Sequence, residues 1–317
     1  SQIMRRRAKP MTFHSFLVGR FVSSAAFVTL SVTLGAQQGT SGEWPVHGGD
    51  AGYTRYAALD QIDTDTVASL QIAWRRNAVD ESLRSYWPDL RYSNQLRSTP
   101  IMVNELLYAS NGIGLVEAFH PGTGETVWVQ DRSFLENETI PRGASSRGLA
   151  YWESGHDKRL FSIRPPFLFA IDAATGGPIE SFGEAGRIDL SYDAETGYSG
   201  TSPPLVVRDV VILGSAMADH PYTKEQHPGD VRAYDVRTGE LRWTWSPIPK
   251  AGEPGVETWL DESWTYSGMA NVWTMFSADL DLGLVYLPTG APTNDMYGGH
   301  RPGNNLYANS LVCVDAE

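Results

Sequence analysis

Cysteine is almost missing from this chain. Of its 317 residues only Cys313 is a cysteine, so neither a disulfide framework nor a thiolate-held metal cluster can be built. No C-x-x-C-H stretch occurs either, and the chain therefore carries no c-type haem attached through such a motif. Positive charge is also short: 25 Lys and Arg against 37 Asp and Glu leave a formal net charge of −12. Nucleic acid is a poor partner for such a surface, because its phosphates demand a basic face. Helical patterning is scarce as well. Beyond residue 40 no apolar stripe of helical period runs for a convincing length. The glycine-rich GTGETV (122–127) follows a strand-like run without opening a helix, so it is no dinucleotide fingerprint.

What is abundant points to turns and strands. The chain holds 31 Gly, 19 Pro and 10 Trp, with 41% hydrophobic and 20% charged residues. This is globular composition with ample length for a large core. Strand-like runs occupy 99–110, 159–172, 202–215 and 282–290. In the first and third, the polar pairs Asn104-Glu105 and Arg208-Asp209 interrupt two apolar runs, which signals a hairpin.

One layout repeats: a strand-like run, a polar residue, a Thr-Gly turn, then Trp four residues after the Gly. It occurs as VEAFHPGTGETVWVQ (116–130) and VRAYDVRTGELRWTW (231–245). FLFAIDAATGGPIESF (167–182) repeats it without the Trp, and SLVCVDAE (310–317) begins it again. The turns at Thr123, Thr175 and Thr238 are 52 and 63 residues apart, the spacing of an array of similar units. Each unit reads as a four-stranded blade of a β-propeller. Asp172, Asp235, Trp128 and Trp243 are then structural: the Asp closes its own turn, and the Trp wedges between neighbouring sheets with its indole N–H free for a carbonyl. Chemistry is expected instead in the longer irregular segments 130–158, 183–201, 216–230 and 246–270.

The N-terminus differs in character. MRRRAKP is followed by the uncharged, mostly apolar FVSSAAFVTLSVTLGA (21–36). This reads as a secretory signal cleaved near Ala36, although Leu34 is large for the −3 position; a retained membrane anchor is the rival. The expected division is thus a leader over 1–36 and a partial β-propeller over 37–317, with an exported, periplasmic protein, held at the inner membrane in the rival reading.

The repeats resemble the tryptophan-docking motifs of the quinoprotein dehydrogenases, enzymes built as eight-bladed propellers around pyrroloquinoline quinone (PQQ). EWPVHGGDAGYTRYAALDQI (43–62), SSRGLAYW (145–152), GYSGTSPPLVV (197–207), MANVW (269–273) and YLPTGAPTNDMYGGHRPGNNLYANSLVCVD (286–315) sharpen the likeness. It runs from about residue 43 to the end, and is strongest to the glucose dehydrogenase branch. The fold it implies is all-β, about the first half of the blades.

The resemblance also implies a site. Trp273 matches the tryptophan that floors the PQQ ring, with one more blade-packing Trp as the other reading of the residue. Arg147 matches the arginine that pairs with cofactor oxygens, and Thr201 and Ser215 fall among the cofactor-binding positions. A Ca²⁺ or Mg²⁺ ion is expected beside the quinone on oxygen ligands, with Asp219 and Thr293 at matching places and Asp295 and Asn294 near enough to substitute. His220, His227 and His300 lack metal-ligand spacing and read as loop or substrate-facing residues.

The implied reaction oxidises a sugar or other alcohol by hydride transfer to the quinone, with electrons passing to ubiquinone or a cytochrome. Three departures stand out. Arg97 occupies a place where many members are acidic. The vicinal cysteine pair of the methanol-oxidising branch is missing. The general-base aspartate, expected in a segment like HHDxWD, would lie beyond Glu317. Two rivals remain: a non-catalytic propeller binding protein partners, and a carbohydrate-binding propeller using Trp259 and Trp264.

Overall fold

The structure is a computed structural model describing residues 42–135, 146–191, 198–200, 202–216, 221–294 and 296–317. The leader expected over 1–36 lies outside the described residues, as do Thr201, Asp219, His220 and Asp295. All described residues belong to one compact unit, Gln38–Glu317. Among them, no helix is long and apolar enough to cross a membrane.

Fifteen strands form four antiparallel sheets in simple up-and-down order among the described residues. The first holds β1 (Ile101–Val103), β2 (Leu106–Ser110), β3 (Val116–Phe119) and β4 (Thr126–Val129). The second holds β5 (Ala150–Ser154), β6 (Asp157–Arg164), β7 (Phe167–Asp172) and β8 (Arg187–Asp189). The third holds β9 (Leu205–Val207), β10 (Val210–Leu213), β11 (Val231–Asp235) and β12 (Leu241–Trp245). The fourth has three strands, β13 (Ser277–Asp279), β14 (Leu284–Pro288) and β15 (Leu311–Asp315). These are blades of a β-propeller, as the repeats predict.

The predicted hairpins form: β1 turns into β2 through Asn104 and Glu105, both at positive φ (51° and 64°), as a tight primed turn requires. Two boundaries differ from the sequence reading. The run 159–172 is two strands, because Pro165-Pro166 cannot donate to a ladder and forces a turn. Residues 150–158 and 187–189, expected to be irregular, are largely β5, the head of β6, and β8.

The apolar runs are continuous because both faces of each inner sheet are covered. Along β6 and β7, Leu160, Phe169 and Ile171 pack with the first sheet, while Phe161, Leu168 and Ala170 pack with the third. On β10, Val211 and Leu213 face the second sheet and Val210 and Ile212 the fourth. Successive side chains of a strand alternate in direction, so the inner strands of a sheet sandwiched between two others are buried on both faces.

The Trp repeats dock these sheets. Trp128 Nε1 donates to the carbonyl of Ala173 at 3.1 Å and Trp243 Nε1 to that of Ala316 at 2.8 Å. Trp74, which the sequence reading did not single out, does the same to Pro121 at 2.8 Å. The Trp74 and Trp128 indoles also lie against the Thr-Gly turn of the next sheet. A Cβ on Gly124 would fall 2.6 Å from the Trp74 ring, and one on Gly176 2.5 Å from Trp128. Both glycines have positive φ (73° and 78°), so turn geometry and docking demand the same residue.

The unit without a docking Trp uses an arginine. Arg159 on β6 donates to the carbonyls of Val236 (3.0 Å) and Arg237 (2.8 Å), directly after the Asp235 turn residue. Asp157 holds the guanidinium from behind at 2.8 and 2.7 Å.

An N-terminal strap crosses the first strand of every sheet. Trp44 pairs with Met102 of β1, His47 lies against Gly148 at the entry to β5, Ala51 packs with Leu205 and Val207 of β9, and Ala278 N on β13 donates to Ala51 O at 2.7 Å.

Candidate cofactor site

Alternation of direction places the segments before β1, β5, β9 and β13, and those after β2, β6, β10 and β14, at one end of the sheets. The other end carries tight hairpins and the Thr-Gly turns. Most of the long connections thus gather at one end, where three segment entries meet. Arg147 precedes β5, Ser202 precedes β9 and Trp273 precedes β13.

Arg147 Nη1 donates to the Trp273 carbonyl at 3.2 Å, and its guanidinium carbon is 5.4 Å from the centre of the Trp273 ring. Ser202 Oγ also donates to the Trp273 carbonyl and lies 3.4 Å from Arg147 Nη1. The Arg147 carbonyl accepts from Thr99 N at 2.9 Å, tying in the entry to β1. Both of the side-chain hydrogen bonds that Arg147 makes among the described residues come from Nη1. Trp273 is 50% exposed, whereas the docking Trp128 is 9% exposed. Half of the Trp273 surface is therefore open, unlike that of a docking indole.

Beneath the Trp273 ring lies buried polar structure. Asn271 Nδ2 donates to the Ser215 carbonyl at 2.6 Å. Ser215 Oγ and Asn271 Oδ1 are buried and find no partner among the described residues. Such oxygens are costly unless something else satisfies them. Thr293 is buried, and its hydroxyl and N–H both reach the Gly268 carbonyl, at 3.1 and 2.9 Å. Asn294 Oδ1 accepts from Met296 N at 2.8 Å. These two are braces of the β14–β15 connection, with oxygen lone pairs left over. Among the described residues no group of three or more His, Cys, Asp and Glu could hold a metal.

His47 borders the site on the strap. Its Nδ1 is 2.7 Å from the Tyr53 hydroxyl, and a Cβ on Gly148 would fall 2.9 Å from its ring. Burial lowers its pKa, and the positive charges of Arg55 and Arg147 lower it further. It is therefore a neutral ring at neutral pH, and burial raises the pKa of Tyr53. His227 and His300 brace loops through their main chains: the His227 carbonyl accepts from Met269 N at 2.6 Å and the His300 carbonyl from the Tyr266 hydroxyl at 2.5 Å. The Arg97 guanidinium reaches Gln95.

The sugar-stacking role expected of Trp259 and Trp264 is not met. Trp259 is 3% exposed, donates to the Leu306 carbonyl at 2.5 Å, and packs with Ile248, Ala270 and Ala308, with Trp264 against them. A surface cleft of about 240 Å³ lies elsewhere, lined by Gln130, Asp131, Phe169, Glu180 and Arg187 among others, and contains none of the site residues.

The sequence model of the family described as PQQ: glucose/ethanol/alcohol dehydrogenase, beta-propeller domain, matches residues 44–317. The chain belongs to this family. A relative is the quinoprotein glucose dehydrogenase of Escherichia coli (strain K12), 28% identical over 291 residues, covering 86% of this chain and 35% of that protein. Another is the quinohemoprotein alcohol dehydrogenase ADH IIB of Pseudomonas putida, 30% identical over 295 residues, covering 88% of this chain and 39% of that one. The crystal structure of quinohemoprotein alcohol dehydrogenase from Comamonas testosteroni superposes with a TM-score of 0.67 at 25% identity, covering 88% of this chain and 40% of that one. The chain thus spans well under half the length of these relatives. For this PQQ-family propeller, the sequence named Trp273 and Arg147, which the fold brings together. It missed Ser202, Asn271 and His47. The only sequence signal for Asn271 was its place in MANVW, two residues before Trp273.

Proposed function

We propose that this chain supplies the cofactor-binding face of a PQQ-dependent dehydrogenase that oxidises a sugar or another alcohol. The observation that carries the reading is the pairing of a half-exposed Trp273 ring with an Arg147 fork anchored through Nη1. A flat quinone bearing carboxylates and carbonyls wants a flat π-face and forked donors. The orphaned Ser215 hydroxyl and Asn271 Oδ1 beneath the platform are consistent with a site shaped for a polar ligand. In this reading Trp273, Arg147, Thr201 and Ser215 hold PQQ, and Asp219, Thr293 and Asp295, with Asn294 beside them, hold Ca²⁺ or Mg²⁺.

When bound, PQQ supplies the two-electron acceptor chemistry that no side chain can. The chain's own part is orientation. Arg147, fastened to the Trp273 backbone, keeps a positive charge beside the ring, and Ser202 holds the same carbonyl so that ring and charge move together. The relatives include glucose, glycerol, alcohol and quinate/shikimate dehydrogenases, which supports a CH–OH donor and leaves its identity to experiment. No HHDxWD segment occurs in the sequence, so turnover, with electrons leaving for a quinone or cytochrome, is proposed for the whole protein. Export to the periplasm, with or without a retained anchor, is proposed from the leader-like N-terminus.

The test is fluorescence and thermal titration of the folded chain with PQQ, with and without Ca²⁺. Saturable quenching and a raised Tm are expected. Trp273→Ala should abolish the quenching at this site, and Arg147→Ala should weaken binding at least tenfold, both with the sheets intact by circular dichroism. A folded chain that binds no PQQ sinks the reading of this platform.

A further inference from the structure

Asn271 sits between the two connections that carry the candidate ligands. Its side chain is wholly buried (0% exposed). One way, its Nδ2 donates to the carbonyl of Ser215, at the start of the β10–β11 connection, at 2.6 Å. The other way, its main-chain carbonyl accepts from Gly290 N, at the start of the β14–β15 connection, at 2.8 Å. Two residues on is the Trp273 platform. The surroundings are cut to this side chain: a Cβ on Gly229 would fall 2.5 Å from Asn271 Cβ, and one on Gly214 would collide with the Val272 carbonyl. At Gly290 the Cβ position lies 3.5 Å from Asn271 Oδ1 and 3.6 Å from Trp273 Cδ1, so the unpaired oxygen borders the edge of the platform.

We propose that Asn271 is a positioning residue that ties the Ser215 connection, through its side-chain amide, to the Gly290 connection, through its main-chain carbonyl, and to Trp273, so that the metal-bearing and cofactor-bearing segments are ordered as one unit. Asp219 follows Ser215 by four residues, and Thr293 follows Gly290 by three. A ligand that orders either connection therefore orders the other through the same residue, whose side chain holds one and whose main chain holds the other. The second ligand then meets a site already ordered, which makes the two binding events mutually reinforcing. This coupling rests on the cofactor reading above; the mechanical tie does not.

The experiment uses the full chain with Asn271→Ala and the nearly isosteric Asn271→Leu, which fills the space without a donor. Amide hydrogen exchange without any cofactor should speed up at least tenfold at 214–216 and 289–293 while β6 and β7 keep their protection. Unchanged exchange in both connections overturns the proposal. Should the alanine variant open the whole chain, the leucine variant decides the point. In PQQ titrations, Ca²⁺ should tighten wild-type binding at least tenfold and Asn271→Leu binding less than twofold. A Ca²⁺ effect of full size in the variant overturns the coupling. Failure of the wild-type chain to bind PQQ removes the cofactor reading, and the exchange result alone then stands for or against the tie.

Discussion

Two tryptophans with the same chemistry do opposite work here. Trp128 spends its N–H on Ala173 and its ring on Gly176, while Trp273 leaves half its surface open beside Arg147. The repeat identified the first kind, because a residue locked to a fixed position after a Thr-Gly turn serves that turn's neighbour. Asp235 shows the same local logic. Its Oδ1 accepts from the N–H groups of Arg237 and Thr238, both at 2.8 Å, and Oδ2 from Arg242 at 2.6 Å. Burial alone would raise its pKa, yet Arg242 and these N–H groups outweigh it and bring the value from 3.8 down to about 2. The folded chain thus favours the carboxylate more than the unfolded chain does, so the contribution is complete above about pH 4 and disappears as pH falls toward 2. Asp235→Ala should cost about 2 kcal/mol at pH 7. Urea denaturation at a series of pH values should show that difference shrinking below pH 4.

At the scale of elements, the interface between the second and third sheets is the informative one. It lacks the Trp, and Arg159 takes over the donor's place from a different strand, reaching the carbonyl after the turn residue as the indoles do. Sequence spacing could not have found it, since Arg159 stands before the turn of its own unit and is brought into line only by sheet packing. Arg159→Ala removes two donated hydrogen bonds and leaves Asp157 unpaired by its guanidinium. A loss of about 3 kcal/mol is expected, with hydrogen exchange accelerating first in β6 and β11. An unchanged Tm would show that the arginine is not the clamp of this interface. The split of 159–172 belongs to the same scale. Its apolar character was legible, but continuous apolar runs cannot show where a strand turns when both faces are buried.

For the whole molecule, the strap over 44–55 joins four first strands that share no hydrogen bonds with one another. A chain beginning at residue 56 should lose this common tie, and its Tm should fall by more than 5 °C with exchange rising in both β1 and β13. Protection that drops in one of these strands alone would mean that the strap serves only a single sheet. The far side is built otherwise: β15 is an edge strand with Leu311 and Cys313 exposed, and residues 56–72 expose Tyr56, Ile62 and Ile72.

By itself the sequence determined the class of fold, the number and order of the repeated units, the structural standing of Trp128, Trp243, Asp172 and Asp235, and the identity of Trp273 and Arg147 as candidates. The repeats and their turns are matters of spacing and local hydrogen bonding, which a linear chain displays, whereas Trp273 and Arg147 were implied by the family resemblance of the stretches around them. Only the tertiary structure decided that Arg147 is fastened to the backbone of Trp273, that Ser202 and Asn271 belong with them, that Arg159 substitutes for a missing indole, and that Trp259 is core. Each of these joins residues 55 to 126 positions apart or turns on which face of a residue is covered. Such relations are created by packing the sheets around one another, and no local pattern in the chain encodes them.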